Sequence, residues 1–144
     1  MSSQENTIQY ERVAPHIFQT LGSVHQLMAK QGFSPVTIHL VELRASQMNK
    51  CAYCIKMHTK EARDDGESNE RLERVIVWRH VDDFTPGEKA ALAWTEALTD
   101  LKDTTDYGAL RAELKEYYSD EDITVLTTAV AMINLWNRVQ VSKH

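Results

Sequence analysis

The sequence predicts an all-helical fold in a single domain, residues 1–144. Two observations lead there. Pro15, Pro35 and Pro86, with Gly32, Gly66, Gly87 and Gly108, fall between stretches whose apolar residues recur at helical spacing, where helices start and stop. No run alternates Val, Ile or Thr with polar residues, and no Asn-Gly or Asp-Gly pair joins two such runs; Asp65-Gly66 closes a helical segment instead. The reading is about six or seven helices and little or no strand.

The first helix spans about Ala14 to Lys30, puts Ile17, Leu21, Val24, Leu27 and Met28 on one face, and is closed by Gly32. Gly22 inside it costs about 1 kcal/mol relative to Ala, which points to close packing there. The second opens on Ser34 as N-cap and Pro35 as first helical residue and runs to about Met48, with Asn49-Lys50 as a break. A third covers about Cys51 to Asp65, ending at Gly66. Ser68 caps a fourth, with Leu72, Val75 and Ile76 inward and Trp78 near its end. Thr85-Pro86-Gly87-Glu88 is a capping box with proline at the first position, opening a helix through Leu92 and Leu98. A shorter helix lies near Tyr107 to Tyr117, and Ser119-Asp120-Glu121-Asp122 opens the last. That last helix carries two adjacent apolar stripes: Ile123, Leu126, Val130 and Ile133, then Val125, Ala129, Met132 and Trp136. A surface helix needs one stripe, so this one is either central to the core or shared with a second subunit.

Composition narrows the function classes. At 144 residues, 16 basic against 21 acidic side chains give a net charge of −5 with no Lys/Arg block, which argues against an electrostatic grip on nucleic acid. With 42% hydrophobic and 26% charged residues the chain is not disordered, and no apolar stretch approaches the roughly 20 residues that span a bilayer. The first residues, Met1-Ser2-Ser3-Gln4-Glu5-Asn6, have neither a basic nor an apolar export segment, so a cytoplasmic protein is expected.

The only two cysteines sit together as Cys51-Ala52-Tyr53-Cys54. In a reducing compartment this spacing points to redox chemistry or metal before a structural staple. A helix starting at Cys51 puts the two Cα atoms about 5 Å apart, inside the roughly 4.4–6.8 Å window of a disulfide. His58 follows Cys54 by one turn and is within side-chain reach of it. A free cysteine of pKa near 8.5 is only about 3% thiolate at pH 7. A helix N-terminus lowers that pKa by up to about 1.5 units, and an imidazole backed by a carboxylate completes the activation. Glu42, on the preceding helix, is the candidate carboxylate, giving a chain Glu42–His58–Cys54. Zinc on the cysteines is disfavoured, because four ligands are needed and Cys51 and His58 stand about 10 Å apart along a helix axis. His16, His25, His39, His80 and His144 have no comparable partner in sequence and receive no role. A thioredoxin-like fold is disfavoured because the flanks are helical.

The stretch Glu42-Leu43-Arg44-Ala45-Ser46-Gln47-Met48-Asn49-Lys50-Cys51-Ala52-Tyr53-Cys54, followed by Met57-His58 and Ala62-Arg63, resembles a known signature. It is similar to that of the carboxymuconolactone decarboxylase superfamily in its alkylhydroperoxidase D-like (AhpD-like) branch. Trp78-Arg79, Glu88 to Thr99, and Ile133 to Arg138 extend the likeness nearly end to end. The resemblance implies an all-helical bundle assembling as trimers or pairs of trimers. It also implies a thiol peroxidase in which Cys54 attacks a hydroperoxide and Cys51 resolves, with His58 and Glu42 relaying the proton. No cofactor or metal is implied, and the reductant is an external dithiol, lipoyl-bearing or thioredoxin-like. The helix dipole alone favours Cys51 as the attacking thiol. One departure stands out: the family's characterised peroxidase has a histidine just before the second cysteine, where this chain has Tyr53, so a weaker peroxidase is expected. The rival readings are a redox-sensing or disulfide-exchange module and a lactone decarboxylase, which has no use for a thiol pair.

Overall fold

A computed structural model describes residues 5–144. Eight α-helices follow one another: α1 (Tyr10–Val13), α2 (Pro15–Ala29), α3 (Pro35–Met48), α4 (Ala52–Asp64), α5 (Asn69–Arg74), α6 (Pro86–Thr99), α7 (Tyr107–Lys115) and α8 (Asp120–Val141). A 3₁₀ segment, Val75–His80, continues from α5, and no strand occurs among the described residues. The all-helical expectation holds, with the extra helix coming from the single turn of α1.

The helix starts follow the local chemistry. Ser34 Oγ accepts from the Thr37 N–H with Pro35 at the first helical position. Thr85 and Glu88 form a reciprocal capping box, and Ser119 and Asp122 form another. Each of these caps satisfies helix-end N–H groups that would otherwise lack a partner.

The long α3 is the hub of the bundle. Its Leu40 and Leu43 pack with Ala62 of α4, Leu72 of α5, Val75, Trp78, Phe84 and Leu92. Its Val41 faces the other way, into Ala90, Ala91 and Trp94 of α6, Leu114 of α7, and Leu126 and Val130 of α8. A helix buried on opposite faces is apolar around much of its circumference, as α3 is. The two stripes of α8 are likewise largely internal: Val125, Leu126, Ala129, Val130, Met132 and Ile133 are buried, and Ile123 and Trp136 half-buried.

Three expectations need correction. Ile76 points to solvent, because the chain at Val75–His80 winds as a 3₁₀ helix. With about three residues per turn, Val75 and Trp78 share the inner face and Ile76 leaves it. The apolar stripe of the first helix is only partly covered: α2 has no buried residue, and Ile17 and Leu27 are 58% and 60% exposed. It touches the bundle through Phe18 and His25 against Trp136. Close packing does not explain Gly22 either, since a Cβ there would meet nothing within 4 Å.

Candidate active site

The break between α3 and α4 sets the cysteines in place. Asn49 caps the C-terminus of α3, and Lys50 takes the left-handed conformation at φ 56° that ends many helices. Asn49 Nδ2 donates to Asn134 Oδ1 and to Asn137 Oδ1 on α8, both at 2.9 Å. Asn137 Nδ2 in turn donates to Ser46 Oγ at 3.0 Å, and the Cys51 N–H to the Ser46 carbonyl at 3.0 Å. Ser46 and Asn49 of the signature thus fasten the turn to α8 immediately before the first cysteine. The buried Asn137 amide and Ser46 hydroxyl, satisfied together with the half-buried Asn49 and Asn134, fix one geometry.

Cys51 is the N-cap of α4, its Sγ accepting from the Cys54 N–H at 3.3 Å, and not its first helical residue. The two cysteines are joined as a disulfide with their Cα atoms 5.3 Å apart, as their spacing predicts. Both sulfur-bearing side chains are buried. A cavity of about 530 Å³ opens beside them, lined among others by Cys54, Met57 and His58 of α4, Glu42 of α3, Tyr53 and Trp136. That volume suits a small organic molecule. Of the two cysteines, Cys54 lines it.

On the wall of the same cavity, α3 and α4 each contribute a His-x-x-Glu step, His39 with Glu42 and His58 with Glu61. Residues three apart lie on one helix face, so the packing of α3 on α4 brings the four side chains together. His58 Nδ1 lies 3.7 Å from Glu42 Oε2 and 3.3 Å from Glu61 Oε2. His39 Nδ1 lies 3.6 Å from Glu42 Oε1, and its Nε2 is 2.5 Å from Asp65 Oδ2. Glu42, with Asp65 adding to it against the cost of burial, pushes the His39 pKa up to about 9, so this ring carries a proton at neutral pH. The His58 ring is buried, and neither of its nitrogens has a hydrogen-bond partner; nor does His39 Nδ1. Buried polar atoms are nearly always bonded, and an exception calls for an explanation such as strain, a catalytic role or a bound water or ion.

Of the residues singled out from sequence, Cys54, His58 and Glu42 line the cavity, and Cys51 sits behind Cys54 as its disulfide partner. The structure adds Glu61 and Asp65, which the sequence does not single out, and His39, to which the sequence assigns no role. His25, also without a role in the sequence reading, lines the same cavity, and its Nε2 accepts from Trp136 Nε1 at 2.8 Å. The repeated His-x-x-Glu step was the available signal for His39 and Glu61.

The model of the carboxymuconolactone decarboxylase family matches residues 15–97, which include α2, α3, α4 and the cysteines. The chain belongs to this family. YdfG of Bacillus subtilis is 31% identical over 135 residues, covering 94% of this chain and 92% of that protein. YnjA of Escherichia coli is 31% identical over 101 residues, 70% of this chain and 55% of its own length. A solved structure from Agrobacterium tumefaciens, described as of unknown function with a suggested AhpD role in antioxidant defence, superposes with a TM-score of 0.88. It is 35% identical and covers 94% of this chain and 93% of that one. The AhpD core of a peroxidase-related protein from Ralstonia eutropha shares the fold at a TM-score of 0.80 and 20% identity, covering 92% and 70% of the two chains. An AhpD-like helical bundle bearing a CxxC pair is therefore the family setting of the site. No helix among the described residues is long and apolar enough to cross a membrane.

Proposed function

We propose that the protein is a thiol-dependent peroxidase that reduces an alkyl hydroperoxide or hydrogen peroxide through Cys54 and Cys51. The observation that carries this reading is the position of Cys54. It is the cysteine on the cavity wall, one turn from a buried imidazole with free nitrogens, and it is already paired with Cys51. The suggested antioxidant role of the Agrobacterium relative supports the same chemistry.

In the reduced protein, His58 accepts the Cys54 proton, and Glu42 holds the resulting imidazolium by its charge. The thiolate attacks the terminal peroxide oxygen and the O–O bond breaks. Sulfur gains that oxygen as a sulfenic acid, and the proton leaves with the departing alcohol or water. The Cys51 thiol then attacks the sulfenic sulfur, forming the disulfide and releasing water. An external dithiol, lipoyl-bearing or thioredoxin-like, reduces the disulfide by exchange. The cavity admits the peroxide to Cys54, so Cys54 takes the attacking role over Cys51 despite the N-cap position of the latter. Tyr53 stands 56% exposed on the cavity wall, and with a pKa near 10 a tyrosine is a poor proton shuttle at neutral pH. Turnover is accordingly modest. Copies of the chain associate as a trimer or pair of trimers, for which the uncovered stripe of α2 is the available apolar surface.

The test is peroxide consumption by the intact protein supplied with a dithiol reductant. Cys54→Ser is expected to lower the rate at least about 1,000-fold, the order lost when a covalent nucleophile is removed. Equal rates in the variant and the wild type would end the proposal.

A further inference from the structure

The His-x-x-Glu steps of α3 and α4 form an arrangement that proton transfer to one thiol does not require. His39, His58 and Glu61 can each direct one donor atom to a shared centre, with all three atoms within 4.8 Å of one another. Glu42 faces both rings, one carboxylate oxygen 3.6 Å from His39 Nδ1 and the other 3.7 Å from His58 Nδ1. A tetrahedral ion with bonds of about 2.0–2.1 Å holds neighbouring donors roughly 3.4 Å apart. The distances from Glu61 Oε2 to the two Nδ1 atoms, 3.3 Å and 3.9 Å, bracket that value.

Two further observations point to a ligand. The His58 side chain is more than nine-tenths buried and both its nitrogens lack a hydrogen-bond partner, as does the His39 Nδ1 that faces the same centre. Meanwhile His39 Nε2 is held by Asp65 Oδ2 at 2.5 Å. A carboxylate on the far nitrogen of a histidine, turning the near nitrogen inward, is the outer support that metal-binding histidines have. The charge balance agrees: among the described residues, Glu42, Glu61 and Asp65 form ion pairs with these histidines and with no lysine or arginine.

We propose that His39, His58 and Glu61, with Glu42 in reach as a fourth donor and Asp65 as outer support, bind one divalent transition-metal ion of the zinc class. Imidazole and carboxylate donors suit zinc and its neighbours, the cysteines take no part, and an ion at His39 Nδ1 displaces the proton that this ring otherwise carries. The site needs no cysteine, but it shares His58 and Glu42 with the proposed relay, so a bound ion withdraws His58 as the base for Cys54; metal binding itself is tested in the oxidised protein, where that relay is not used.

The experiment uses the intact, oxidised, metal-free protein, titrated with Co2+ as an optical probe and with Zn2+ by calorimetry. One ion per chain is expected, with visible cobalt bands of tetrahedral strength and no sulfur-to-cobalt charge-transfer band. Cys51→Ser/Cys54→Ser should bind equally well. His39→Ala and Glu61→Gln, the second a near-isosteric change on a half-exposed side chain, should each weaken binding at least about 100-fold. Asp65→Asn should weaken it by about 10–100-fold. No saturable binding in the wild type, or binding that survives both His39→Ala and Glu61→Gln, would overturn the proposal. Binding lost with the cysteines would overturn it as well.

Discussion

Two clusters of charged side chains flank α3, and they are bonded very differently. On one side Glu96 accepts from Arg44 Nε at 2.9 Å, from Trp78 Nε1 at 3.1 Å and from Arg79. Nearby, Arg71 donates to both oxygens of Glu67, to Glu88 and to the Asp83 carbonyl, while Glu88 also receives the Thr85 N–H of its capping box. On the other side, His39, His58, Glu42 and Glu61 stand 3.3–3.9 Å apart, and three of the four ring nitrogens are buried without a bond. The first pattern is that of groups fixed for stability. Unbonded buried nitrogens lining a cavity beside a redox-capable disulfide are the pattern of groups kept available for chemistry.

The contrast predicts opposite outcomes for mutations in the two places. The largest effect is on stability at the bonded cluster. Glu96→Ala leaves Arg44 and the Trp78 N–H without their acceptor, and should cost about 3 kcal/mol in denaturant unfolding. The rate of sulfur oxidation by peroxide should stay unchanged in that variant. A large loss of rate would erase the distinction between the clusters. Next comes His58→Gln, which should slow oxidation of the reduced protein by about 100-fold, or some 2.7 kcal/mol in the barrier. Its unfolding free energy should move by less than about 1 kcal/mol, because the ring has no hydrogen bond to other protein groups and loses only its loose carboxylate contacts at 3.3 Å and 3.7 Å.

Acid sharpens the same comparison. Burial opposes ionisation of Glu88, but the Arg71 and Thr85 hydrogen bonds outweigh it and hold the carboxyl below its ordinary value of 4.5. Glu96 behaves alike: burial is outweighed by Arg79, Arg44 and Trp78. A carboxyl depressed in the folded state leaves the unfolded chain to take up protons first. The stability these groups contribute is complete above about pH 5 and declines as pH falls through 4.5 toward the lower folded-state values. Urea unfolding from pH 6 to pH 3 should show this loss, and Glu96→Ala should flatten it. The smallest effect belongs to Glu61→Gln, whose half-exposed carboxylate has only histidine ion pairs at 3.3 Å and 3.9 Å. It should change stability by no more than about 0.5 kcal/mol in the metal-free protein.

The sequence was most legible where a local signal sufficed. Ser34-Pro35, the Thr85–Glu88 box and Ser119 mark helix starts by chemistry that acts over three residues, and all three stand in the structure. The Cys51–Cys54 spacing likewise dictates a bridgeable distance within one helical turn. What periodicity could not convey was the change of helix type at Val75, which turned Ile76 outward, and the lack of a covering element over α2. Cys54, His58 and Glu42 were recognisable because they belong to the CxxC neighbourhood or to the family signature. His39, Glu61 and Asp65 acquire significance only when α3 packs on α4, since the contacts of His39 with Glu61 and Asp65 join positions more than twenty residues apart.

The most direct test follows the oxygen. Reduced Cys51→Ser protein, which has no resolving thiol, is given one equivalent of hydroperoxide and then a sulfenic-acid trap, and the modified residue is located by mass spectrometry. The account predicts a single trapped sulfenic acid on Cys54, formed much more slowly when His58 is also replaced by Gln. Oxidation at Cys54 no faster than that of a free thiol in solution, or unchanged by the His58 replacement, would contradict it.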